Sequence, residues 1–85
     1  MLKEDLLATL SPYITEIIQN NIVISLSTKF ETVDIDSLKF ISLIVQCEEL
    51  FNIETNDEDL VINNYNTFDD FISMILRHLN NKNQL

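Results

Sequence analysis

Asp36–Phe51, D-S-L-K-F-I-S-L-I-V-Q-C-E-E-L-F, decides the reading of this chain. Leu43, Ile44, Cys47 and Phe51 recur at helical spacing and make one apolar face, and Leu38, Ile41 and Val45 make an adjoining strip. Glu48 and Glu49 fall on the wet side. Asp36 is a suitable N-cap, so the predicted helix runs from about Ser37 to Phe51. A serine at such a start lies near amides that have no intrahelical partner, where a phosphodiester meets the positive end of the helix dipole. The plainer alternative is that Asp-Ser is a common cap pair and that most such serines only start helices.

Outward from this helix the chain stays helical. Leu2, Leu6, Leu7, Leu10, Ile14, Ile17 and Ile18 recur every three or four residues, which predicts an amphipathic helix. Ser11-Pro12 is a possible start for a shorter helix, because proline suits the first helical position. The apolar stripe stays in phase across Pro12, which favours a kinked helix from about Leu2 to Asn20. Ile22 to Asp36 is then a long connection anchored by Ile24, Leu26, Phe30 and Val33. A strand at Ile22-Val23-Ile24 has no second strand to pair with. Asn52 to Asp57 reads as a loop, and Glu58 to Ile62 as a short helical turn. Thr67 caps the last helix, Asp70 completes a capping-box-like pair, and Phe68, Phe71, Ile72, Ile75, Leu76 and Leu79 form its stripe. The predicted fold is all-α: a small four-helix bundle of three main helices and one short helix. Residues 1–85 are expected to be a single domain, with a frayed polar tail over 80–85.

The 85 residues include no glycine, one proline and no tryptophan, and 46% are hydrophobic. That apolar content excludes wholesale disorder, and the missing glycine argues against primed hairpin turns and phosphate-cradling loops. Fourteen acids against five bases give a net charge of -9. Nucleic acid and anionic membrane surfaces are therefore poor partners, and a basic protein is a good one. Nine acids lie between Glu31 and Asp59, opposed only by Lys39. A single cysteine, Cys47, excludes an internal disulfide framework and fits a reducing compartment. No secretory signal or membrane span is visible, so the expected location is cytoplasmic.

The residues around Ser37 resemble the prosthetic-group segment of the acyl carrier protein family, whose D-S-L serine receives 4'-phosphopantetheine. Apolar residues fall where that family has them, at Leu38, Ile41, Leu43, Ile44, Val45 and Phe51. C-E-E-L-F-N-I-E resembles the end of its second helix, and E-D-L-V-I-N-N-Y-N-T-F-D-D-F-I resembles its following stretch. The continuous likeness covers roughly Val33 to Leu76, about half the chain; residues Leu2 to Asn20 fit the family's first helix in character only.

The resemblance implies a freestanding acyl, peptidyl or aminoacyl carrier protein that catalyses nothing itself. Ser37 would be the attachment point for a 4'-phosphopantetheine arm taken from coenzyme A, and Asp36 would assist the modification. The arm's thiol would hold the acyl group as a thioester. The implied partners are a phosphopantetheinyl transferase, a loading ligase or transferase, and downstream biosynthetic enzymes. Leu38, Ile41, Val45, Glu48 and Glu49 are the candidate partner-binding residues of a monomer. Leu38 is expected on the surface, whereas Ile41 and Val45 divide evenly between docking and core packing. Three departures bear on the pathway: Asp34 where the family usually has glycine, Lys39 where an acid is frequent, and a longer segment between the second and last helices. They tilt the reading toward polyketide or nonribosomal-peptide metabolism over fatty-acid synthesis. The alternative is an unmodified acidic helical interaction module.

Other chemistry is weakly represented. Cys47 lies on an apolar face with Glu48 beside it, as a buried structural thiol does. His78 is the only histidine and sits among polar neighbours, which gives no zinc-ligand spacing. Asp57-Glu58-Asp59 lacks a calcium-loop pattern and reads as a solvated helix start.

Overall fold

The computed structural model describes residues 2–82. Three α-helices, α1 (Lys3–Ile18), α2 (Ser37–Phe51) and α3 (Phe68–Lys82), are joined by connections that carry three 3-10 turns. Among the described residues there is no strand. The all-helical expectation holds, but the fourth, short helix takes the form of two 3-10 turns, Asp57–Leu60 and Ile62–Asn64, on either side of Val61.

The helix α1 is unbroken through Pro12, which is exposed. Proline removes one backbone donor, so the helix forfeits a bond there. The buried stripe of Leu6, Leu7, Leu10, Ile14 and Ile18 keeps its phase and holds the rod together. The helix is shorter at both ends than Leu2 to Asn20: Leu2 is its N-cap, and Gln19 turns left-handed at its C-cap (φ 57°, ψ 40°). α1 packs against both α2 and α3. The core includes Phe40, Leu43, Ile44 and Cys47 of α2 and Phe68, Phe71, Ile72, Met74 and Ile75 of α3.

The long connection from α1 is anchored by Ile24, Phe30 and Val33, as expected, and also by Ile35; Leu26 is half-buried. It is sewn to the start of α3 by backbone bonds. Phe30 N donates to Asn66 O (3.0 Å), Phe68 N to Thr28 O (3.0 Å), and Asp69 N to Leu26 O (2.9 Å). These contacts join residues 36 to 43 positions apart, so no local pattern announces them. The Thr67–Asp70 pair forms as predicted: Asp70 Oδ2 accepts from Asn66 N (2.8 Å) and Thr67 N (3.1 Å), and Thr67 Oγ1 accepts from Asp70 N (3.4 Å). The amides of Asn66 and Thr67 hold the Asp70 carboxyl below its usual range.

The tail expected to be frayed begins inside α3. Asn80, Asn81 and Lys82 continue α3, and Lys82 Nζ donates to Phe51 O at 2.8 Å, tying the ends of two helices together. The remainder of that tail, 83–85, lies outside the described residues.

Candidate functional site

The approach to α2 is a tight structure made by short-range bonds. A 3-10 turn over Phe30–Val33 buries Phe30 and Val33. Asp34 then takes a left-handed conformation (φ 57°, ψ 40°), and Ile35 N returns to Phe30 O at 3.1 Å. Left-handed backbone favours glycine, and aspartate is among the few other residues that visit it readily. Asp34 therefore stands where glycine is expected for a conformational reason. Val33 and Ile35, both buried, pin the segment on either side of it. Lys39 Nζ donates to Asp34 O at 3.3 Å and spans the bend from the first turn of α2.

Asp36 is the N-cap. Its Oδ1 accepts from Lys39 N at 2.9 Å, and its carbonyl accepts from Phe40 N at 2.9 Å. Helix geometry leaves the amides of Ser37 and Leu38 without an intrahelical carbonyl. Ser37 is exposed at the first helical position. Among the described residues no side chain bonds its hydroxyl. Asp36, Ser37 and Leu38 are all exposed at this partial-positive end of α2, which suits an anionic phosphodiester.

The apolar strip beside Ser37 is open to solvent. Leu38 is 77% exposed, Val45 44% and Ile41 37%. Leu38 stands on the surface as expected, and both undecided residues also face outward. Glu49 is exposed, but Glu48 departs from the wet-side expectation: it is half-buried, and its Oε2 accepts from Thr55 N (3.1 Å) and Thr55 Oγ1 (3.3 Å). That carboxylate fastens the loop after α2. Leu60 and Val61, on the turns that follow, are exposed apolar residues that the sequence reading did not single out. No periodicity marks them, because their turns are too short to have one.

Two acidic and basic expectations are corrected. Asp59, read as part of a solvated helix start, is buried. His78, read among polar neighbours, is mostly enclosed, with Nε2 2.8 Å from Asp59 Oδ2. Asp59 Oδ2 also accepts from Asn56 N (2.9 Å), its carbonyl accepts from Tyr65 Oη (2.9 Å), and Arg77 stands 3.5 Å from its Oδ1. Burial pushes the Asp59 carboxyl up, but the Asn56 amide, the His78 ring and Arg77 outweigh it and hold the group below the usual carboxylate range. Tyr65 is displaced upward, first by burial and then by Asp59. This cluster ties α3 to the turn after α2. Among the described residues no group of His, Cys, Asp and Glu has a metal-holding arrangement.

Cys47 is fully buried, and burial, with Glu48 adding to it, pushes its thiol up to about 12. It is a packing residue, as the sequence reading expects.

Residues 8–75 match the family model described as "Phosphopantetheine attachment site". The fold is similar to the crystal structure of an acyl carrier protein from Thermotoga maritima, with a TM-score of 0.80 over 94% of this chain and 93% of that chain, at 18% identity. No curated protein matches the chain.

Proposed function

The chain belongs to the phosphopantetheine-attachment family, and from that premise we propose that Ser37 is the residue that carries its prosthetic group. Membership makes the chain a carrier rather than a catalyst, with covalently bound 4'-phosphopantetheine as its cofactor. The observation that supports Ser37 is its exposed, unengaged hydroxyl at the first position of α2, directly behind the Asp36 cap.

Ser37 Oγ attacks the β-phosphorus of coenzyme A in the site of a phosphopantetheinyl transferase. An O–P bond forms, the P–O bond to adenosine 3',5'-bisphosphate breaks, and a base of the transferase takes the serine proton. Asp36 holds the helix start in shape for this step and offers the transferase an acidic neighbour of the nucleophile. When bound, the arm supplies the terminal thiol that holds an acyl, peptidyl or aminoacyl group as a thioester. Tethering delivers that group to successive enzymes at high effective concentration.

Residues 1–85 act as one carrier domain in this reading. Leu38, Ile41 and Val45 dock its partners, Glu49 steers basic rims toward α2, and Glu48 serves the same face mainly by fixing the Thr55 loop. Lys39 and the longer connection after α2 support a reading in which the cargo belongs to specialised metabolism rather than fatty-acid synthesis. No described helix is long and apolar enough to cross a membrane; a reducing, cytoplasmic setting is proposed because the one cysteine is buried and leaves no internal disulfide framework.

Intact mass after incubation with coenzyme A, Mg²⁺ and a broad-specificity phosphopantetheinyl transferase tests the assignment. The parent gains one arm and Ser37→Ala gains none. A folded parent that gains no mass with several transferases leaves the unmodified interaction module in its place.

A further inference from the structure

Between Lys29 and Arg77 the chain carries eleven acids and a single base, Lys39. That base lies two residues past Ser37, on the first turn of α2. Two exposed carboxylates, Asp34 and Asp36, precede the serine. The end of α2 that presents Ser37 is therefore mixed in charge, while the rest of this stretch carries acids alone. A base set among acids is expected to form an ion pair, yet the ion pairs of the described residues belong to Lys3, Arg77 and His78. Lys39 Nζ donates instead to a backbone carbonyl, Asp34 O, at 3.3 Å.

The bend before α2 accounts for this. Asp34 is left-handed (φ 57°), and Ile35 N returns to Phe30 O at 3.1 Å. Side chains of a helix lean toward its N-terminus, so the Lys39 stem runs back to the Asp34 carbonyl. The Asp36 carboxylate is occupied by the Lys39 amide at 2.9 Å. A long, exposed bond of this kind stabilises the bend little. What it sets is the place of a charge, at the end of α2 where Ser37 stands. Residues two apart do not share a helix face, so Ser37 and Lys39 lie on opposite sides of one turn, separated by about 10 Å, a helix diameter. That is close to the Debye length in physiological salt, so the rim of an enzyme closing on Ser37 lies within the field of the ammonium.

Resting on the Ser37 assignment, we propose that Lys39 is a specificity-determining residue: among the enzymes that approach Ser37, it favours those whose rim sets an aspartate or glutamate among its bases and disfavours those whose rim is basic throughout. A wholly acidic carrier end attracts any basic rim. One ammonium held among the acids makes the attraction depend on where each charge lies, because like charges brought together cost affinity while opposite charges gain it. The bases of a fitting rim answer Asp34 and Asp36, and its acid answers Lys39. The discrimination acts on encounter and binding rather than on bond making at Ser37 Oγ, so it appears in KM more than in kcat.

The test follows arm transfer from coenzyme A to the full chain by two phosphopantetheinyl transferases, chosen for the rim around the active-site mouth: lysines and arginines only in one, an added aspartate or glutamate in the other. Parent, Lys39→Glu, Lys39→Gln and Lys39→Arg are compared at low and at high salt, after melts show that each is folded. An acid in the first turn suits the helix dipole, so Lys39→Glu is expected to keep α2. With the basic rim, Lys39→Glu is expected to raise kcat/KM roughly three- to tenfold at low salt, through KM. With the mixed rim the same variant lowers it by a similar factor. Lys39→Gln falls between, Lys39→Arg retains the parent's preference, and high salt compresses every difference. If Lys39→Glu does not fold, the opposite signs of the Lys39→Gln effect on the two transferases decide. Were Lys39 only a brace for the bend, its loss would slow both transferases alike, lower kcat and persist in high salt; that result overturns the proposal. A parent that takes no arm from either transferase overturns the Ser37 assignment itself, whereas a parent and Lys39 variants that all load at one rate overturn the selection alone.

Discussion

His78 Nε2 lies 2.8 Å from Asp59 Oδ2 and joins the last turns of α3 to the 3-10 turn that follows α2. Asp59 is 4% exposed and has three kinds of partner: an amide, an imidazole and a guanidinium. They are unequal. Arg77 is well exposed and 3.5 Å away, so its pairing is worth little. The Asn56 amide and His78 are close and enclosed. Asp59→Ala is expected to cost about 2 kcal/mol, because it strands buried donors. His78→Ala is expected to cost roughly 1–2 kcal/mol and Arg77→Ala less than about 0.5 kcal/mol. Urea titrations of the three variants give this order; an Arg77→Ala loss as large as that of His78→Ala contradicts it.

The same carboxylate makes stability depend on acid. Its folded pKa is lowered, so the unfolded chain binds the proton more readily. Its contribution is present above the unfolded carboxylate pKa and is lost as pH falls through the lower, folded value. Asp70 acts in the same direction. Melts between neutral and strongly acid pH are expected to show a decline that Asp59→Asn makes shallower. An unchanged slope in Asp59→Asn shows that other carboxylates carry the decline.

Asp34 tests the bend before the serine. Its left-handed backbone disfavours any residue with a Cβ and least disfavours glycine, asparagine and aspartate. Asp34→Ala is expected to lose about 1 kcal/mol and Asp34→Gly to lose none. Chemical denaturation measures both. Equal losses in the two variants indicate that the Asp34 side chain, rather than the backbone, matters there.

The parts of this molecule written in short-range pattern were legible in its sequence. The extent of α2, the Asp36 cap, the Thr67–Asp70 pair and the burial of Cys47 each rest on residues within a turn or two of one another. Ser37 stood out for the same reason, since cap and serine are adjacent. What escaped was set by distance along the chain. Asp59 looked solvated among Asp57 and Glu58 because the His78 that receives it is nineteen residues away. Glu48 looked free because Thr55 returns to it only after the chain reverses. The bonds of Leu26, Thr28 and Phe30 to the start of α3 depend wholly on the finished fold. α1 ends two residues short of Asn20 because Gln19 closes it with a left-handed residue rather than the usual glycine.

Asp36 is expected to link stability to modification. Its side chain satisfies the Lys39 amide, and removal of such a cap costs about 1 kcal/mol. Asp36→Ala is therefore expected to loosen the first turn of α2 and to slow arm transfer to Ser37 as well. Asp36→Asn keeps a capping oxygen but loses the charge, and so separates the two effects. If it restores stability and transfer remains slow, the transferase reads the carboxylate; if both return, the cap alone matters.

Cys47 supplies an independent check on how tightly the interior is packed. Thiolate is the reactive form, and burial pushes this thiol up to about 12, so at neutral pH it is protonated as well as enclosed. Alkylation of the native chain is expected to be limited by opening of the fold, and in strong denaturant to approach the rate of a free cysteine. Because the folded pKa is raised, the thiol's contribution to stability is intact below its unfolded pKa near 8.5 and is lost as pH rises toward about 12. Cys47→Ala removes that alkaline loss in exchange for a small cavity. Comparing parent and variant melts in mildly alkaline buffer isolates the thiol from the tyrosines and lysines, which both proteins share. Rapid native alkylation would mean that the face of α2 carrying Leu43, Ile44 and Cys47 opens readily.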